Sequence, residues 1–247
     1  MIENVKIWCE ELRETLISKG FKAYSIASSS GIAIEGFVKR SASLEAPIVY
    51  VSSGVHGDEP AGPLAIERLV ANDFFHSDLS WIVCPMLNPS GHMAGTRENA
   101  EGIDLNRDYY FLKSTEVQGH VAWLETQEAP SLMLSLHEDW ESSGYYFYEI
   151  NTQGDQPTKA RTLMDCLDKT MLREADSTVD GHEVREPGWI YHEAIADEFQ
   201  CWPEAIFMAK KMGCPVSLTM ESPSSSELEK RIVLQMEFVR TAVSIWT

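Results

Sequence analysis

No run of about 18 apolar residues occurs anywhere in the 247-residue sequence, so it offers no candidate membrane-spanning helix. Basic residues are scarce as well: 20 Lys and Arg stand against 38 Asp and Glu, a formal net charge of −18. That balance argues against nucleic acid and anionic membrane surfaces, which require clustered positive charge. It is compatible with cationic substrates, or simply with solubility. The cysteines number five, an odd count, are scattered, and include no C-x-x-C pair. A disulfide framework and a cysteine-based zinc site are both unexpected, and a reducing cytoplasm is the simplest setting. The first twenty residues lack the basic region, apolar core and cleavage site of a secretory signal, and read as an amphipathic helix. Repeats, low-complexity tracts and linkers are also missing, so one domain over residues 1–247 is expected. No feature of the sequence indicates its oligomeric state.

What is present is an alternation of strand-like and helix-like segments, the pattern of an α/β sheet. Two strands are predicted to form a hairpin at Ser30-Gly31, and residues 47–53 form an apolar run of the kind buried on both faces of a sheet. Residues 63–75 follow with helical periodicity, with Pro60 and Pro63 suited to loop and first-turn positions. Residues 81–87, 131–137, 145–150 and 214–221 are predicted strands, and 115–128, 158–175, 203–212 and the last twenty residues are predicted helices. Asn88-Pro89-Ser90-Gly91 reads as a turn, followed by a long polar loop to about Arg107.

The chemistry-bearing residues sit where those strands end. His56-Gly57-Asp58-Glu59 follows the buried run at 47–53, and His137 ends the strand 131–137. Parallel strands bring such ends to one edge of the sheet. Two imidazoles and a carboxylate leave a fourth position on zinc for water, as hydrolysis requires. Gly54 and Gly57 would give the loop the freedom to turn both side chains inward. Each pattern is weak alone, but the order is informative: His56-Gly57-Asp58-Glu59, Asn88-Pro89-Ser90-Gly91, Arg97, Asp104-Leu105-Asn106-Arg107, His137, then Thr219-Met220-Glu221-Ser222-Pro223.

This series resembles the zinc metallocarboxypeptidase family. The resemblance implies a three-layer α/β/α fold with a mixed, mostly parallel central sheet, of the phosphorylase/hydrolase-like kind. It implies one Zn²⁺ per chain held by His56, Glu59 and His137, with Glu221 as general base and Arg97 stabilising the oxyanion. Asn106 and Arg107 would hold the free carboxylate of a small peptide or acyl-amino-acid substrate. Tyr191, in a loop read over 186–194, is the first candidate for the family's substrate-capping tyrosine, with Tyr145 or Tyr146 next.

The pattern departs from the digestive carboxypeptidases in its short Asn88–Arg107 segment and in Asp58, which replaces a basic residue. The compact size, H-G-D-E-P-A-G and E-S-P are most similar to bacterial murein-peptide amidases, which cleave the γ-D-glutamyl–diaminopimelate bond. H-G-D-E and the short gap from Arg97 to Asn106 also resemble the succinylglutamate desuccinylase and aspartoacylase branch, whose members hydrolyse N-acyl amino acids. A catalytically silent metal- or peptide-binding module is the third reading, disfavoured by an intact Glu221 and Arg97. The acidic run Glu138-Asp139-Trp140-Glu141 is open to three readings: recognition of a substrate ammonium, support of a metal ligand, or a solvated turn. His182 and His192 read as solvent-exposed loop residues, and Asp168, Asp176 and Asp180 suggest no role.

Overall fold

The computed structural model describes residues 2–154, 156–192 and 200–247. In chain order its elements are α1 (Val5–Ser18), β1 (Lys22–Ser29), β2 (Ile32–Lys39), β3 (Ile48–Ser53), α2 (Ala61–Ala71), β4 (Ser80–Cys84) and α3 (Pro89–Ala94). There follow a 3₁₀ turn at Leu105–Arg107, α4 (Thr115–Leu124), β5 (Leu132–Asp139), β6 (Tyr146–Asn151), α5 (Pro157–Leu167), β7 (Thr178–Val179) and β8 (His182–Glu183). The remainder is β9 (Trp189–His192), α6 (Glu204–Lys210), β10 (Val216–Pro223) and α7 (Leu228–Trp246).

Local chemistry accounts for the main elements. The α1 helix starts where the Asn4 side chain accepts from the backbone N–H of Ile7, and it buries Val5, Trp8, Leu12 and Leu16 at helical spacing. The β1–β2 hairpin turns through Ser30 and Gly31, both with positive φ (50° and 76°), as a tight two-residue turn demands. Along β3, Val49 and Val51 pack into one core layer while Tyr50 packs into the other, so the strand is covered on both faces.

Eight strands form one sheet in the order β1-β2-β4-β3-β5-β10-β6-β9. The pairs β3–β4, β3–β5, β5–β10 and β6–β9 are parallel, whereas β1–β2, β2–β4 and β6–β10 are antiparallel. One apolar layer joins α1, α2, α5 and α7 to the sheet, and a second joins α4 and α6 to its other face. The result is the three-layer α/β/α arrangement with a mixed, mostly parallel sheet.

Three segments differ from the sequence expectation. Asn88-Pro89-Ser90-Gly91 starts a short helix: Asn88 caps it by accepting from Gly91 N–H at 2.8 Å, Pro89 occupies its first turn, and Gly95 in the left-handed region ends it. The helix expected to run to residue 175 stops at Leu167, and Asp168 is engaged by Tyr145 and Arg173. Residues 189–192 form the short edge strand β9, while Glu193 and Ala194 lie outside the described residues.

Candidate metal centre and cavity

The loop after β3 carries His56 and Glu59, and β5 carries His137. All three side chains are buried, and one ligand atom from each lies within 4.8 Å of the others. His56 Nδ1 is 2.6 Å from one Glu59 oxygen and His137 Nδ1 is 3.1 Å from the other. The second nitrogen of His56 lies 3.2 Å from Asp104 Oδ1, which fixes the imidazole ring's orientation. Burial opposes charge on His56, but Glu59 beside it and the Asp104 hydrogen bond outweigh that and lift its pKa to about 9. Burial likewise disfavours the Glu59 carboxylate, yet His56 and His137 hold it below the usual range. Burial depresses His137, with Glu59 opposing. Two imidazole nitrogens and one carboxylate at the wall of a cavity form a donor set that fits a divalent metal with an open position.

Two glycines shape this loop for different reasons. Gly54 has φ +63°, a conformation that favours glycine. At Gly57 the issue is clearance: an added Cβ would fall 1.9 Å from the carbonyl carbon of Gly91 and 2.3 Å from His92 N. Gly57→Ala must therefore push the ligand loop off α3. The expected loss is about 1–3 kcal/mol of stability, the usual range for overpacking, together with weaker metal retention. Thermal unfolding and metal content would check this, and a variant with unchanged values would refute it.

Register places the remaining chemistry. Parallel pairing sets Glu221 of β10 directly beside His137 of β5. Burial, followed by the charges of Glu59 and Asp139, raises the Glu221 pKa well above the ordinary carboxylate range, while Arg97 works the other way. Arg97 hydrogen-bonds Asp104 through Nε at 3.0 Å, and its Nη1 reaches to 3.2 Å from His56 Nδ1. Asp104 thus steers both His56 and Arg97, and it also accepts from Asn106 N–H. Burial resists ionisation of Asp104, but the His56 contact and the neighbouring arginines keep its pKa low. It was legible only as part of the D-L-N-R segment.

A cavity of about 470 Å³ opens over these groups, lined by His56, Glu59, Arg97, Asn106, Arg107, His137 and Glu221. Tyr191 does not line it. Its hydroxyl donates to the Asn151 carbonyl at 3.2 Å and its ring packs on the core beyond the sheet. Side chains alternate along β9, so His192 faces the cavity and Tyr191 faces away. Tyr145 also points away, donating to Asp168, whereas Tyr146 and Tyr148 line the cavity.

Asp180, His182 and His192 join that wall, contrary to the loop reading: the two imidazole rings meet edge-on at 4.6 Å and Tyr148 stacks on His192. Their signal is weak, because strands of two and four residues leave little periodicity to read. Within the acidic run, Glu138 is buried, accepts from Ala61 N–H and pairs with Arg231. Its pKa rises to about 7 through burial, against those two contacts. Asp139 accepts from the Tyr146 hydroxyl at 2.9 Å.

The sequence profile of the succinylglutamate desuccinylase/aspartoacylase catalytic domain matches residues 45–168, just over half of the chain. The chain belongs to this family. The matched segment spans the candidate ligands His56, Glu59 and His137 together with Arg97 and Asp104–Arg107, whereas Glu221 lies beyond it. No curated protein matches the sequence at a significant level. Among solved structures, the fold is similar to a protein assigned as a metallopeptidase from Shewanella amazonensis, with a TM-score of 0.85, 21% identity, and coverage of 99% of this chain and 94% of that one. A metallopeptidase-assigned protein from Shewanella denitrificans gives 0.85 at 22% identity, covering 98% of this chain and 90% of its own. The metallo-carboxypeptidase from Pseudomonas aeruginosa, solved with (2-guanidinoethylmercapto)succinic acid, gives 0.67 at 19% identity, covering 95% and 67%. The desuccinylase/aspartoacylase domain and these folds together make the chain a metal-dependent hydrolase with a metallocarboxypeptidase-like fold.

Proposed function

We propose that the protein is a zinc-dependent amide hydrolase acting on a small substrate with a free carboxylate, such as a short peptide or an N-acyl amino acid. The observation that carries this reading is the register pairing of Glu221 with His137, with Arg97 and Arg107 lining the same cavity. A zinc ion held by His56, Glu59 and His137 would supply Lewis acidity and acidify water toward a pKa of about 7. Glu221 takes the proton from the attacking water and returns it to the leaving amine. The Arg97 guanidinium, reaching the triad, stabilises the oxygen of the scissile carbonyl as its charge grows. Asn106 and Arg107 anchor the substrate carboxylate. The Asn106 oxygen is committed to Glu204 N–H at 3.0 Å, so its amide nitrogen is the end offered to a ligand. Arg107 contributes a planar fork suited to a carboxylate.

Two substrates fit this site, each favoured by a different observation. One wall of the cavity offers acceptors: Tyr146 donates to Asp139 and Tyr148 donates to Asp180, so each phenol oxygen has only lone pairs left. Such a wall suits a donor-bearing end, as in the free amine of a diaminopimelate-containing murein peptide. The family match favours the second reading, an N-acyl-amino-acid deacylase. The five cysteines are all free thiols, which suits a reducing compartment, and we assign the reaction to the cytoplasm. Among the described residues no helix is long and apolar enough to cross a membrane.

Incubating the zinc-loaded protein with murein tripeptide, N-acetylaspartate and N-succinylglutamate separates these readings. Diaminopimelate release supports the amidase, and acetate or succinate release supports the deacylase. For whichever substrate turns over, Arg107→Ala should raise KM about 10- to 100-fold with a smaller change in kcat, the signature of lost charge-assisted binding. No turnover of any of the three would reject both substrate readings.

A further inference from the structure

Glu204 is a buried carboxylate that the hydrolytic scheme leaves unused, 2% exposed at the first position of α6. Among the described residues its only ion-pair neighbour is His120 at 3.9 Å, whose burial lowers its pKa to about 3 and keeps it neutral. Burial raises the Glu204 pKa, and hydroxyl donors counter that rise. Tyr50 donates to one oxygen at 2.5 Å; Ser52 donates to the other at 2.7 Å, with the Ser135 hydroxyl at 3.5 Å.

Those hydroxyls belong to β3, which leads into the candidate ligand loop, and to β5, which carries His137. Tyr50 and Ser52 lie on β3, just before the loop of His56 and Glu59, and Ser135 lies two residues before His137 on the same face of β5. The backbone of Glu204 meanwhile holds the other half of the site, since its N–H donates to Asn106 Oδ1 at 3.0 Å. A second chain of hydrogen bonds runs in parallel. Because Tyr50 gives its proton to Glu204, its oxygen accepts from His120 Nε2–H, and His120 Nδ1 accepts from the Tyr109 hydroxyl at 2.8 Å. Tyr109 lies two residues beyond Arg107, and its N–H donates to the Trp202 carbonyl.

We propose that Glu204 is a positioning residue that sets the spacing between the metal ligands and the Asn106-Arg107 carboxylate anchor. It touches no substrate. One residue spans the gap: its carboxylate grips the two metal-bearing strands, and its backbone grips the anchoring turn. This inference rests on the reading of Arg107 as the anchor.

The test uses zinc-loaded protein and two simple probes, acetate and succinate, measured by calorimetry. Acetate engages the metal alone, whereas succinate has a second carboxylate for Arg107, so its advantage depends on the spacing. The wild type should bind succinate at least about tenfold more tightly than acetate, as a two-point ligand does. Glu204→Leu should reduce that preference to about twofold or less, with zinc content and acetate affinity unchanged. Glu204→Gln, which keeps the backbone donor and one acceptor, should restore most of it. If the leucine variant fails to fold, Tyr50→Phe carries the test, with an expected loss of preference of about threefold.

Intact succinate preference in the leucine variant, or in Tyr50→Phe where that is used, would overturn the proposal. So would equal weakening of both probes together with lowered thermal stability, the mark of a structural role alone. A wild type with no succinate preference would instead refute the anchor reading, and this inference with it.

Discussion

Glu221→Gln should lose turnover by about 100- to 10,000-fold, the range spanned by general acid–base catalysis, while retaining stoichiometric zinc. The substitution is nearly isosteric, and the triad of His56, Glu59 and His137 is left whole. Only the capacity to take a proton is removed. The position suits that task because β10 runs parallel to β5 and sets the carboxylate beside His137 at the cavity wall. Its surroundings also hold its pKa up: burial acts first, then the charges of Glu59 and Asp139, with Arg97 opposing. A carboxylate tuned upward is a better match to chemistry near neutral pH than one left at its ordinary value. Steady-state kinetics with parallel metal analysis decides the matter. Turnover near the wild-type level would remove Glu221 as the base, and loss of zinc would recast it as part of the metal shell.

Glu59→Gln should be the more severe change, cutting metal affinity about a thousandfold and activity with it. Glu59 lies between the two imidazoles and provides the only negative charge within the triad. Removing one of three ligands from a binding free energy of roughly 10–16 kcal/mol should cost about three orders of magnitude in affinity. The backbone frame should survive, since the surrounding strands are held by their own ladders. The wild type should gain thermal stability as zinc is titrated in, because an ion that binds only the folded form shifts the equilibrium toward it. The Gln variant should show no such gain at the same concentrations. A variant that still binds zinc tightly would require a different third ligand.

The sequence made some parts of this site legible and hid others, for physical reasons. The triad could be read because each ligand follows a strongly apolar run, and such runs declare themselves as strands whose ends meet at one sheet edge. Arg97, Asn106, Arg107 and Glu221 could be placed because they come in a fixed order around those strands. Tyr191 was a plausible cap by proximity in sequence, but in a strand a shift of one residue moves a side chain to the opposite face. His192 occupies the cavity face instead. Asp180 and His182 reach the same wall through the two-residue strands β7 and β8, whose placement depends on contacts that no local pattern encodes. Glu204 was hidden for a related reason. A lone acid at a helix start resembles an ordinary first-turn residue, and its burial follows only from Tyr50, Ser52 and Ser135, each more than sixty positions away.

One contact has a consequence for biosynthesis. Gln235, midway along α7, donates to the His137 carbonyl at 2.9 Å, and Arg231 on the same helix pairs with Glu138. A nascent chain that has emerged only as far as β10 already carries every proposed ligand and the base, but the His137 carbonyl still lacks its Gln235 donor. The centre takes its final rigidity from a segment synthesised after it. A chain that ends before Gln235 should therefore fold with the His137 carbonyl lacking this donor.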